Sequence, residues 1–290
     1  SVTENKAADG STGTVKTDKS GQTTAETQLS GKAVETAKKN GEPVKAPVEV
    51  EAAGNTHRAP VVSIELPRNS GETKVEIPVS NVSSGTVAVL VHSDGTEEII
   101  KDSIPTENGI QLTVNGGATV KIVDNSKDFI DTREHWSRDQ VNFVAARELF
   151  QGVGDNQFGV GRPMTRGMVN TVLARLAGVD TTPASGQSWY DKGIAWAREN
   201  GVSVGTNPNG NVTREQLAAM LYRYAGSPTV SGTLPFADTH EANLYAQDAL
   251  LWAVQNGILN GYGDGRVGPK AHAERAQVAA MMARFIQNAQ

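Results

Sequence analysis

The sequence has no cysteine, which excludes a disulfide-stapled scaffold, a cysteine-ligated metal site and a thiol nucleophile. Its net charge is only −5, and this mild acidity argues against nucleic acid as the main partner, because phosphate neutralisation needs a basic surface. No apolar run approaches the ~20 residues that cross a bilayer, so we expect no membrane insertion. The chain has neither a leader-like segment nor an initiator methionine, and we expect it to be a mature or excised piece.

Aromatic residues are absent from the first 127 residues, and all 15 of them lie at or after Phe129. The basic residues change at the same place, from 11 lysines and 2 arginines before residue 128 to 2 lysines and 12 arginines after it. Such different compositions predict two modules, in agreement with a soft prior of roughly one domain per 150 residues. We place the boundary near Asn125–Asp128.

The first module predicts β-strands, because apolar and polar residues alternate as they do in half-buried strands. The predicted strands cover residues 61–66, 74–79, 86–91, 97–100, 110–114 and 118–123. Asp94-Gly95 predicts a hairpin between two of them, and Asn115-Gly116-Gly117 repeats the pattern. A core without aromatic residues must consist of Val, Ile and Leu, which suits a small sandwich and offers no stacking platform for sugars or bases.

The segment before Val48 has a weaker pattern, and two interpretations stay open. In the first, Thr12–Thr17 pairs with Thr23–Gln28, and Ser30–Asn40 is a helix with Ser30 as its N-cap and Gly41 just past its end. In the second, the segment is disordered because it is polar and rich in Thr, Lys, Glu and Gly. We expect a flexible arm at residues 1–10 and a β-rich module at 11–127.

The second module contains three repeats in register, aligned on Trp136, Trp189 and Tyr245. Glycines lie 16 residues later, at Gly152, Gly205 and Gly261, and fit a turn that needs positive φ. A loop then leads to Thr165-Arg166, Thr213-Arg214 and Glu274-Arg275, each followed by an amphipathic run with helical spacing. Each repeat therefore predicts a helix, a glycine-rich loop and a second helix, and the three should share one core.

These motifs, with Phe129-Ile-Asp131 and Gly261-Tyr-Gly-Asp-Gly265, resemble S-layer homology (SLH) domains from Asp128 to the C-terminus. We place the repeats at residues 128–180, 181–228 and 229–290. The resemblance implies a pseudo-threefold helical bundle. The expected fold class is thus multidomain α+β, with a β-rich, sandwich-like module followed by an all-α bundle of three helix–loop–helix repeats.

The resemblance also implies a function, the non-catalytic anchoring of an extracellular surface protein to the cell wall. SLH grooves hold a secondary cell-wall polysaccharide, commonly one that bears a pyruvate ketal on N-acetylmannosamine. The expected partner is therefore an anionic glycan, without cofactor or metal. We expect a monomer whose repeats form a pseudo-trimer, and lattice self-association stays open.

Such a ligand calls for a fixed cation, a flat apolar surface and close backbone approach. The resemblance maps these roles onto Arg166, Arg214 and Arg275, onto Trp136, Trp189 and Tyr245, and onto Gly152, Gly205 and Gly261. An alternative for the arginines is that each forms a salt bridge with a neighbouring repeat. Asp131 and Asp238 either touch ligand or cap turns.

The repeats depart from one another in ways that bear on binding. Repeat two has eight residues from Gly205 to Thr213, against 13 for the same step in the other two, and it lacks the Phe-x-Asp lead-in. Repeat three has Glu274 where the others have Thr, which would place a negative charge beside Arg275. We therefore expect one or two competent grooves, the one that uses Arg166 foremost.

Enzyme-like motifs lack their structural context. Gly201-Val-Ser203-Val-Gly205 matches a nucleophile elbow and Gly263–Gly268 a dinucleotide fingerprint, but neither follows a predicted strand. The histidines show no metal spacing, and no acidic pair suggests acid–base catalysis. Two alternatives to the anchor stay open: a surface-layer assembly module with degenerate grooves, and the tether of a wall enzyme whose catalytic domain lies outside this sequence.

Overall fold

The computed structural model describes residues 1–289. The chain divides into two compact units, the first formed by residues 1–127 with 145–148 and the second by the remaining residues from 128 onward. All named strands of the described residues lie in the first unit, and all named helices except one begin after residue 129. The chain is therefore α+β, as its sequence predicts.

The first unit contains two sheets and one helix. Its elements are β1 (Val2–Lys6), β2 (Thr12–Thr17), β3 (Thr23–Gln28), α1 (Gly31–Asn40), β4 (Val44–Lys45), β5 (Val61–Glu65), β6 (Glu72–Pro78), β7 (Thr86–Val91), β8 (Glu97–Ile99), β9 (Ile104–Pro105), β10 (Gly109–Asn115) and β11 (Ala118–Asp124). One sheet has the order β1-β2-β3-β5-β11-β7-β8, the other β4-β6-β10-β9. Their shared core consists of Val, Ile, Leu and Ala side chains.

The sequence predicted the segment before Val48, residues 1–10 and the turn at Asn115 with different success. Strands β2 and β3 pair, and α1 begins after the N-cap Ser30 and ends at the left-handed Gly41, in agreement with the ordered interpretation. Residues 1–10 are not a flexible arm, because Val2–Lys6 pairs with β2; all five side chains are exposed, so no burial pattern marked the strand. The Asn-Gly-Gly turn joins β10 and β11 in different sheets rather than in a hairpin.

Residues 145–148 bring a fully buried arginine into the first unit. Arg147 donates from Nε and Nη2 to the carbonyl of Ser103, and its other bonds reach the carbonyls of Ser84 and Thr86. Burial lowers the pKa of this guanidinium to about 9, while the charge of Asp102 opposes the shift. The cation is stabilised there by carbonyl dipoles.

The second unit consists of helix pairs. Its helices are α2 (Arg138–Ala146), α3 (Arg166–Leu176), α4 (Asp191–Glu199), α5 (Arg214–Tyr224), α6 (Leu244–Gln255) and α7 (Arg275–Ala289), with 3-10 turns at Ile130–Thr132 and Thr239–Glu241. Thr165 and Thr213 are N-caps whose side chains accept from the third residue of α3 and α5, as the sequence predicts. Trp252 is buried in the core, and Trp196 stacks on Tyr224.

Backbone hydrogen bonds join the three repeats in a closed ring. The amide of Arg166 donates to the Gly210 carbonyl of repeat two, and that of Arg214 donates to the Ala271 carbonyl of repeat three. The amide of Arg275 completes the ring by donating to the Arg162 carbonyl of repeat one. The start of each second helix is thereby fixed against the loop of the following repeat.

Candidate functional site

Three grooves of one design lie in the second unit, and each takes residues from all three repeats. We name them by their aromatic residue. The Tyr245 groove has a volume of about 260 Å³, the Trp136 groove about 180 Å³ and the Trp189 groove about 190 Å³. Each combines the arginine that begins the second helix of one repeat, the loop and second helix of the next repeat, and the aromatic residue of the third. We call these helix-starting residues, Arg166, Arg214 and Arg275, the first arginines.

The grooves bring together eight of the nine residues assigned from the sequence. The Tyr245 groove contains Arg166, the Trp136 groove contains Arg214 and Gly261, and the Trp189 groove contains Arg275 and Gly152. Gly205 does not line a groove, although its neighbours Val204 and Thr206 do. The side chains of Trp136, Trp189 and Tyr245 are 56%, 45% and 48% exposed, so each presents a ring to solvent.

A second arginine in each groove was missed by the sequence analysis. Arg223 lines the Tyr245 groove, Arg284 the Trp136 groove and Arg175 the Trp189 groove. Each lies nine residues after the first arginine of its own helix, which places it about two and a half turns further along. That constant spacing was present in the sequence as a signal. Tyr262, on the wall of the Trp136 groove, was missed as well.

The charge in these grooves has one sign. Each groove has two arginines, and none of the lining residues within the described chain is acidic. Burial removes part of the hydration of the Arg175 and Arg284 guanidinium groups and thereby lowers their pKa. Partly dehydrated cations without an acidic neighbour favour an anionic ligand.

Two of the first arginines are anchored inside the protein. Arg214 is 5% exposed and donates from Nε to the Val267 carbonyl at 2.9 Å and from Nη2 to the Asn260 carbonyl at 2.8 Å. Arg275 is 9% exposed and donates in the same way to Phe158 at 3.0 Å and Gln151 at 2.7 Å. Burial lowers the pKa of both guanidinium groups.

The anchored arginines also lie over aromatic rings. The hydrogen bonds described above join both side chains to backbone carbonyls. Arg214 lies 4.7 Å from the ring centroid of Tyr262, and Arg275 lies 4.8 Å from that of Phe158. Glu274 is exposed, and Arg275 bonds to loop carbonyls rather than to this carboxylate. The guanidinium of Arg275 therefore contacts the loop of repeat one.

An aspartate holds the loop that each anchored arginine grips. Asp131 accepts from the amides of Phe158, Gly159 and Val160 at 2.8–3.1 Å. Asp238 accepts from Val267 and Gly268 at 2.9 and 2.8 Å. Burial acts to raise the pKa of each carboxyl, but the backbone hydrogen bonds outweigh it and hold the pKa below its usual value. These aspartates are loop caps.

The glycines 16 residues after the aromatic position have different reasons to be glycine. Gly205 has φ +73°, as predicted, whereas Gly152 and Gly261 do not have the predicted positive φ. At Gly152 a Cβ would lie 2.8 Å from the Phe129 ring, and at Gly261 it would lie 2.5 Å from the Phe236 ring. The Phe of each Phe-x-Asp lead-in therefore packs against the glycine of its own repeat.

Repeat two differs from the others in how an arginine contacts its loop. Arg166 is half-buried, and its contacts are long: Nε to Gln216 Oε1 at 3.3 Å and Nη1 to the Thr206 carbonyl at 3.4 Å. The Val204 carbonyl, which corresponds to the Gln151 and Asn260 carbonyls, accepts instead from Nε of Arg198 at 2.8 Å. At the position of Arg198 the other repeats have Ala145 and Val254.

Comparisons with known proteins find one domain family in the second unit. The S-layer homology domain model matches residues 128–167, 181–218 and 235–279. The chain is 25% identical over 77% of its length to the amylopullulanase of Thermoanaerobacterium thermosulfurigenes, 24% over 56% to exoglucanase XynX of Acetivibrio thermocellus, and 28% over 58% to the S-layer protein sap of Bacillus anthracis. The matches span 13%, 16% and 22% of these relatives.

Among solved structures, the undecaheme cytochrome from the S-layer of Carboxydothermus ferrireducens is 23% identical over 44% of this chain and 18% of its own, at a TM-score of 0.30. No helix of residues 1–289 has the length and apolarity needed to span a membrane. SLH domains are non-catalytic wall-anchoring modules of S-layer proteins and enzymes. The three repeats of the second unit match SLH domains, and this likeness indicates a protein of the cell surface that is associated with the cell wall.

Proposed function

We propose that residues 128–290 anchor a larger surface protein to the cell wall by binding an anionic secondary wall polysaccharide in the grooves between repeats. The observation that supports this is the shared groove design, with two arginines, an exposed aromatic ring and no acidic lining residue in the described chain. The preferred ligand is a sugar that bears a pyruvate ketal, because it offers both a carboxylate and a pyranose face.

The groove chemistry matches such a sugar group by group. A guanidinium donates two parallel hydrogen bonds to a carboxylate, and a Trp or Tyr ring covers the C–H face of a pyranose. Each contact is weak by itself, since each groove is small and open. Three grooves in one chain bind a polymer with avidity, so intact walls should bind far more tightly than single sugars.

The proposed architecture has a sandwich-like module at residues 11–127 and repeats at 128–180, 181–228 and 229–290, in a pseudo-threefold bundle. The closed ring of backbone hydrogen bonds supports the bundle, because the second helix of every repeat begins with the same amide-to-carbonyl bond to the following repeat. A closed ring leaves no repeat interface unsatisfied, and the chain is accordingly proposed to be a monomer. Sedimentation at two concentrations in the absence of glycan would detect lattice self-association.

The activity of the whole protein is assigned to segments outside this sequence. The relatives are several times longer and include both polysaccharide-degrading enzymes and an S-layer protein by name. We propose that this chain serves as their matching segments do, as a tether without a catalytic residue, and that the β-rich module is a spacer or display element.

A pulldown on Gram-positive sacculi tests the anchor. The full chain is incubated with sacculi before and after hydrofluoric acid extraction, which removes the secondary polysaccharide and leaves peptidoglycan. Binding should be strong before extraction and lost after it. Undiminished binding to extracted sacculi would assign the ligand to peptidoglycan instead, and absence of binding to either would reject the anchor.

A further inference from the structure

The three first arginines occupy matching positions, yet their side chains differ in burial and in hydrogen bonding. Arg214 and Arg275 each donate two short hydrogen bonds to loop carbonyls and are at least nine-tenths buried. A guanidinium in this state has its Nε and one terminal nitrogen occupied. Breaking these bonds to bind a ligand would leave the carbonyls of the buried residues Val267 and Phe158 without a donor, which is costly.

The partner of each anchored arginine is a loop segment that repeat two lacks. Phe158 and Val267 are held from both sides, with the amide bonded to Asp131 or Asp238 and the carbonyl bonded to Arg275 or Arg214. Repeat two has neither the Phe-x-Asp lead-in nor the five extra loop residues. Loop and aspartate are thus lost together, and Arg166 has no matching segment to grip.

Arg198 supplies the remaining contact in repeat two. Its Nε bonds to the Val204 carbonyl at 2.8 Å, the position that Nη2 of Arg214 or Arg275 satisfies elsewhere. Because Arg198 satisfies the Val204 carbonyl, Arg166 is not needed for this second structural hydrogen bond either. Arg166 remains half-buried in the largest groove, together with Arg223, which lies 5.7 Å from the Tyr245 ring centroid.

We infer that, of the three first arginines, Arg166 binds ligand, whereas Arg214 and Arg275 are structural. The Tyr245 groove then holds the carboxylate of a pyruvylated sugar between Arg166 and Arg223. This deepens the proposed function and rests on it. The remaining grooves contribute through Arg175 and Arg284 alone. The short loop of repeat two is therefore what sets ligand preference in this chain.

The first test measures wall affinity and stability in the full chain for five variants. Arg166→Ala should weaken adsorption to unextracted sacculi by about tenfold or more, because a charge-assisted hydrogen bond is lost, with a Tm change below about 2 °C. Arg166→Lys, which keeps the charge without the fork, should fall between wild type and Arg166→Ala. Arg214→Ala and Arg275→Ala should lower the Tm by about 5 °C or more. Arg133→Ala, exposed and outside the grooves, is the matched control.

The second test needs no destabilised variant. The arginine Nε–Hε NMR signals of the wild type are followed as the methyl glycoside of N-acetylmannosamine is added, with and without the pyruvate ketal. Only the ketal form should shift the signals of Arg166 and Arg223.

Two results would overturn the inference while leaving the anchor intact. One is full wall affinity of Arg166→Ala, and the other is a ketal-dependent shift at Arg214 or Arg275 instead of Arg166. Failure of the wild type to adsorb to unextracted sacculi would instead reject the proposed function, and the groove assignment with it.

Discussion

Repeats one and three share a feature that repeat two has lost, and the contrast explains the second unit better than the shared motif does. In the long-loop repeats, an aspartate, a loop segment and an arginine from another repeat form one chain of hydrogen bonds. In repeat two the loop is five residues shorter, and Arg198 satisfies the carbonyl that remains.

A motif residue can thus have different roles in different repeats although its identity is the same. Arg166, Arg214 and Arg275 begin equivalent helices, but only the side chain of Arg166 lacks short hydrogen bonds to a neighbouring loop. What differs is the partner loop, which belongs to another repeat. Trp fluorescence reports on the second unit, because all tryptophans lie after residue 128.

The largest effect is expected from removing a loop-capping aspartate. Asp238→Ala leaves two backbone amides without their acceptor and should lower the free energy of unfolding by about 3 kcal/mol. Urea denaturation followed by Trp fluorescence measures this loss. Asp264→Ala removes a neighbouring exposed carboxylate paired with Arg266 and should leave stability close to that of the wild type, because solvent screens the pair. Equal effects of the two would contradict the capping role.

The next effect concerns the glycines that face the lead-in phenylalanines. Gly261→Ala would place a methyl group 2.5 Å from the Phe236 ring and should cost about 2 kcal/mol through displacement of that ring. Gly161→Ala is the control, because no atom lies within 4 Å of its Cβ position and its φ is not positive. Thermal unfolding of both variants gives the comparison, and an unchanged Tm for Gly261→Ala would refute the close packing.

A smaller effect is expected from pH. The pKa of Asp131 and that of Asp238 are lowered in the folded state, so each carboxylate contributes stability above the ordinary pKa of about 3.9. That stability is lost as the pH falls through the lowered pKa values. Acid titration of Trp fluorescence should show a shallower stability loss in Asp131→Asn. A slope identical to wild type would indicate that the acid sensitivity arises elsewhere.

The smallest effect is expected at Asn170, a fully buried residue of α3. Its Oδ1 and Nδ2 have no hydrogen-bond partner within the described chain, and the matching positions of α5 and α7 are Ala218 and Ala279, both buried. Asn170→Ala removes two unsatisfied polar atoms and should leave stability unchanged or raise it by up to about 1 kcal/mol. A clear loss in urea denaturation would mean that the amide is satisfied in solution.

Much of the fold followed from local patterns. Period-two alternation located six strands, and Thr165 and Thr213 located two helix starts, because strand and helix spacing and cap chemistry act over a few residues. Strand β1 escaped because every side chain in it is exposed and only backbone pairing defines it. The turn at Asn115 was located, but which sheets it connects depends on long-range packing.

The two compositions, the three repeats and most of the residue types that line the grooves could be read from the sequence, since they depend on composition and spacing along the chain. Only the tertiary structure decided that Arg166 meets Tyr245 and the Val204 loop, and that Arg275 meets Gln151 across 124 positions of sequence. It also decided which arginine is anchored. The physical reason is that burial and hydrogen-bond satisfaction depend on neighbours in space, and those neighbours come from other repeats.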